Sequence, residues 1–69
     1  MQIYDFTVPE LNKFRELCNF SSQELEYFNL RAKHKSNIEI SLAMHVSEGQ
    51  VSKLAKRVKD KMKRVLPYM

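Results

Sequence analysis

One glycine, two prolines, one cysteine and no tryptophan stand in a chain of 69 residues. So little glycine and proline excludes a collagen-like or loop-rich chain and suits helices, which those two residues interrupt. The lone thiol, Cys18, has no partner within the chain, so a disulfide-stapled secreted scaffold is excluded and a cytoplasmic protein is expected. No run approaches the ~18 apolar residues that a membrane span needs, and the opening MQIYDFTV lacks the basic start and apolar stretch of an export signal, so no membrane partner is expected. One cysteine and two histidines without short pairing fall below the usual metal-ligand spacings. Without a glycine-rich phosphate loop or a nucleophile, base and orienter set, neither a cofactor nor catalysis is expected.

What is present is apolar bulk and unevenly placed charge. Hydrophobic residues make up 43% of the chain, enough for one small core in a length that buries only roughly 60% of its unfolded surface. Residues 1–50 hold five basic side chains against seven acidic ones, whereas residues 51–69 hold seven basic ones against Asp60 alone. A positive field concentrated at one end suits docking on phosphates or on an acidic partner.

Four helix starts divide the chain. Thr7 with Glu10, Ser21 with Glu24, Ser36 with Glu39 and Ser47 with Gln50 each place a hydroxyl three residues before a carboxylate or amide, the spacing of a capping box. They predict helices over about 8–18, 22–33, 37–44 and 48–66, the last stopped by Pro67, in an all-α, four-helix domain. The expected inward residues are Val8, Leu11, Phe14 and Leu17 or Cys18 in the first helix. In the second they are Leu25, Phe28 and Leu30 or Ala32, with Tyr27 at the margin and Phe20 stapled to Leu25. The fourth helix gathers Val51, Leu54, Ala55, Val58, Met62 and Val65 on one face, with Gly49, Lys53, Lys56 and Asp60 opposite.

The third and fourth helices, joined by His45-Val46-Ser47, have the proportions of a helix-turn-helix, whose second helix enters the major groove of DNA. Gly49, Ser52, Lys53, Lys56 and Arg57 then face base edges: the cations donate to guanine O6 and N7, Ser52 donates or accepts, and Gly49 permits close backbone approach. Arg31, Lys33, Lys35, Ser36, Asn37 and Ser47 are the expected phosphate contacts. Lys59, Lys61, Lys63 and Arg64 add to the general field. The N-terminal Ile3, Tyr4 and Phe6, with Val65, Leu66 and Tyr68, form a candidate surface for a homodimer or a polymerase partner.

Ser36-Asn37-Ile38-Glu39-Ile40 followed by Val46-Ser47-Glu48-Gly49-Gln50-Val51 resembles the "S-N-x-E-I … I-S-E-G-T-V" core of LuxR-type helix-turn-helix domains and of the fourth domain of bacterial sigma factors. Phe20-Ser21-Ser22-Gln23-Glu24-Leu25-Glu26, then Leu30-Arg31-Ala32, looks like their scaffold helix, and the likeness covers about residues 20–66. A helix placed before the scaffold helix is the sigma-domain order, so the chain looks like that domain standing alone. His45 stands where those families usually carry glycine, in a turn that asks for positive φ. The resemblance implies a bacterial or phage transcription regulator that binds double-stranded DNA. The alternative is a sigma-like module that acts on RNA polymerase or another regulator with little DNA contact.

Overall fold

In the computed structural model, which describes residues 2–69, the chain is all α. A 3-10 turn at Ile3–Asp5 precedes α1 (Val8–Leu17), α2 (Ser22–Ala32), α3 (Asn37–Met44) and α4 (Glu48–Val65), and a second 3-10 turn covers Leu66–Tyr68. Each α-helix starts at its expected cap. The hydroxyl oxygens of Thr7, Ser21, Ser36 and Ser47 accept from the amides of Glu10, Glu24, Glu39 and Gln50 at 3.4, 3.3, 3.2 and 3.1 Å. The three glutamates return the bond, accepting from the amides of Thr7, Ser21 and Ser36. Gln50 does not, so the fourth cap lacks its reciprocal half. A neutral amide is drawn less strongly than a carboxylate to the partial positive charge of a helix start. Ser36 bonding also holds the Glu39 carboxyl below its ordinary pKa.

The helices end at most one residue short of expectation, with Cys18, Lys33 and Leu66 as C-caps. Pro67 falls within the final 3-10 turn, at a position where its missing N–H costs nothing.

The three interhelical joints share one construction. Asn19, His34 and His45 adopt φ of 51, 64 and 57°, each two residues before the Ser that caps the next helix. At the second and third joints the backbone closes as a Schellman motif. Lys35 donates to the Leu30 carbonyl and His34 to that of Arg31, and likewise Val46 donates to Ser41 and His45 to Leu42. None of the three left-handed residues is glycine.

Packing settled which faces turn inward, and several differ from the sequence expectation. Ile3, 1% exposed, belongs to the core with Leu11, Phe14, Cys18, Tyr27, Phe28, Ile40, Val51, Leu54, Val58 and Met62, so it is not free to contact a partner. The 3-10 turn that carries it is closed by the Gln2 amide on the Asp5 carboxylate at 3.2 Å. Tyr4 stacks on His34 with ring centroids 4.3 Å apart. In α1, Val8 and Leu17 are exposed and Cys18 takes the inward place. In α2 the inward stripe is Glu24, Tyr27 and Phe28, at i, i+3 and i+4, and Leu25 lies beside it at 36% exposure while Tyr27 is buried to 1%. Phe20 rests on Phe28, centroids 5.0 Å apart.

That stripe exists because α4 answers it. Glu24 Oε1, already accepting from the Ser21 amide at 2.9 Å, meets Lys61 Nζ at 2.5 Å, and Lys61 also donates to the Asn19 carbonyl at 3.3 Å. The Lys61 ammonium holds the Glu24 carboxyl below the usual range against the opposing effect of burial. Lys61 is thus a tie between α4 and the α1–α2 joint, and not the free contributor to surface field that its sequence position suggests.

Candidate nucleic-acid interface

α4 is positioned by what it buries. Val51, Leu54, Val58 and Met62 are at most 1% exposed. Ser41, a small side chain in α3, is itself buried and turns its hydroxyl onto the Ile38 carbonyl at 2.7 Å. A bulkier residue there would hold α3 and α4 apart. The tight joint at His45 then fixes the start of α4 against the end of α3.

With Val51 as origin and about 100° per residue, the remaining side chains of α4 divide into two flanks. Ser52, Lys56, Lys59 and Lys63 occupy one side, and Lys53, Arg57, Lys61 and Arg64 the other, with Gly49 and Asp60 on the ridge between. Concavities in the surface match this division. Ser52, Lys56, Lys59 and Lys63 line an open groove of about 450 Å³ together with Tyr27, Arg31 and Asn37. Arg57, Lys61 and Arg64 line a smaller one of about 240 Å³ beside Glu24, and Asp60 borders both.

The residues expected at base edges, Gly49, Ser52, Lys53, Lys56 and Arg57, are all exposed on this outward side. Gly49 has no internal reason to be glycine: its φ is not positive, and an added Cβ would meet only Ser47 Oγ at 3.8 Å.

The expected phosphate contacts fare unevenly. Lys33 and Lys35 are exposed, Lys35 in a loose pair with Glu39 at 3.8 Å, and Ser36 and Ser47 stand exposed at the starts of α3 and α4. Arg31 and Asn37 are occupied with each other. The Arg31 guanidinium lies 5.8 Å over the Tyr27 ring, donates to Tyr27 Oη at 3.4 Å and to the Lys35 carbonyl at 2.9 Å, and bonds Asn37 Oδ1. Three of its five N–H groups are thereby used in folding the α2–α3 joint, which leaves two toward the groove. Lys59 and Lys63, taken from sequence only as background charge, stand in the groove itself. The wheel of α4 could have singled them out, since both fall on the Ser52–Lys56 flank.

Other features bear on chemistry. Burial pushes the Cys18 thiol up, only partly offset by Lys61, so it stays protonated at neutral pH. Among the described residues no cluster of three His, Cys, Asp or Glu could hold a metal ion, and no helix is long and apolar enough to cross a membrane. On α3, Ile38 and Leu42 stand one turn apart at 60% and 70% exposure. Compared with family models, with curated proteins and with solved structures, the chain finds no match.

Proposed function

We propose that this chain is a sequence-reading, duplex-DNA-binding transcription regulator that lays the recognition helix α4 in the major groove, α3 and α4 acting as its helix-turn-helix. The observation that carries the reading is the outward face of α4. Gly49, Ser52, Lys53, Lys56 and Arg57 are exposed together on a helix whose opposite side carries the buried Val51, Leu54, Val58 and Met62. A helix about 10–12 Å across fits a groove about 12 Å wide, and Lys and Arg are suited to guanine edges there. Glycine at 49, idle within the fold, suits close approach of the backbone to a ligand. The resemblance of residues 20–66 to LuxR-type and sigma fourth-domain sequences points the same way. In this reading Lys33, Lys35, Ser36, Ser47, Lys59 and Lys63 hold phosphates. Arg31 and Asn37 chiefly shape the start of α3 and offer only what their mutual bonds leave free. A body 33 Å long covers about one half-site, so a second copy or RNA polymerase supplies the rest. The setting is the cytoplasm of a bacterium or of a phage-infected cell.

The rival reading, a sigma-like module that acts on RNA polymerase or another regulator, draws on Ile38 and Leu42. Their exposed apolar pair on α3 is of no use to phosphates. A random duplex pool, titrated at two salt concentrations and sequenced after retention, separates the two. DNA reading predicts a short enriched motif that Lys53→Ala and Lys56→Ala blur. Weak, sequence-blind retention that moderate salt abolishes would sink it in favour of the rival.

A further inference from the structure

Asp60 is the only acidic residue after Glu48. At helical spacing it is surrounded by cations: Lys56 and Arg57 one turn before, Lys63 and Arg64 one turn after. It is nevertheless exposed and takes part in none of the ion pairs among the described residues, which join Lys13 to Glu16, Lys35 to Glu39 and Lys61 to Glu24. It borders the concavities on both flanks of α4, which places it on the ridge between them. Lys53 and Lys56 stand to either side of that ridge, between Gly49 and Asp60 along the helix.

A carboxylate in the middle of a surface built for a polyanion opposes its field. It is acceptor-only and repelled by phosphates, so on a bound duplex it gains only where donors face it. On the floor of the major groove the donors are the exocyclic amines, and the one that a carboxylate matches is N4 of cytosine. Asp60 lies about 6 Å farther along the helix axis than Lys56, close to two base-pair steps of about 3.4 Å.

Resting on the duplex-reading function proposed above, we infer that Asp60 is a specificity-determining residue that accepts a hydrogen bond from cytosine, about two base pairs beyond the position met by Lys56. The preferred site is then a duplex with cytosine at that place, disfavouring other bases about tenfold.

The test is selection from a random duplex pool with the wild-type chain, Asp60→Asn and Asp60→Ala, after circular dichroism confirms equal helix content. The inference predicts that one position of the motif changes while the rest persist. Cytosine gives way to adenine in Asp60→Asn, because an amide pairs with adenine N6 and N7, and the preference flattens in Asp60→Ala. The same motif from all three proteins overturns it, as does an equal rise in affinity for every sequence, which would mean that Asp60 only moderates charge. If the wild-type chain selects no motif at all, the duplex-reading function itself falls and this inference with it, a result that the first two cannot be mistaken for.

Discussion

His45 holds φ 57° and ψ 42° at the joint that aims α4, and His34 and Asn19 carry comparable angles at the other two joints. A side chain with a Cβ gives up about 1 kcal/mol in that region relative to glycine, part of which is returned because glycine loses more freedom on folding. His45→Gly is therefore expected to stabilise the chain by about 0.5–1 kcal/mol, read as a higher urea midpoint at unchanged slope. The positive φ at 45 was legible in the sequence from the resemblance alone. The same geometry at 19 and 34 was not, since neither residue is glycine. The roles of Arg31 and Asn37 escaped for a different reason. Whether a cation is free for phosphate depends on which carbonyls and side chains surround it, and here the Tyr27 hydroxyl and the Lys35 carbonyl claim Arg31 first.

At the scale of elements, starts were more readable than faces. A helix start is chemistry within four residues, and Ser21 with Glu24 or Ser36 with Glu39 declares it locally. Which side of α2 turns inward depends on α4, 37 residues away at the Glu24–Lys61 contact, so Leu25 and Tyr27 exchanged their expected places. That contact makes a pH prediction. The carboxyl of Glu24 ionises more readily in the folded chain than in the unfolded one, where its pKa is about 4.3. Its contribution is accordingly complete above that value and is lost as pH falls through the lower folded value. Glu24→Gln should cost about 1–3 kcal/mol at pH 7. The gap from wild type should narrow steadily below about pH 4 in denaturant melts. A gap that does not change with pH would mean that the carboxylate's charge is not what holds α2 to α4.

For the molecule as a whole, charge is concentrated on a body of 33 × 19 × 18 Å in which α4 runs most of the long dimension. On the proposed duplex the four phosphate-facing lysines, Lys33, Lys35, Lys59 and Lys63, are expected to give log affinity a slope on log salt of about −3.6. The geometry separates the lysines expected to contribute from the one that is not. Lys63→Ala is expected to reduce the magnitude of that slope by about 0.9. Lys61→Ala, measured where the variant is folded, should leave it unchanged, because that ammonium is already neutralised by Glu24. Binding isotherms at four or five salt concentrations check both. The joints carry a further consequence, for ancestry. Asn19-x-Ser21-x-x-Glu24, His34-x-Ser36-x-x-Glu39 and His45-x-Ser47-x-x-Gln50 are three copies of one six-residue phrase, a left-handed residue followed two places later by a serine cap and five places later by its carboxylate or amide. Core residues can drift under volume-conserving exchange, but this phrase is tied to backbone geometry and has few substitutes. Distant kin of this chain should be found by its triple recurrence, at intervals of 15 and 11 residues, long after overall identity has faded.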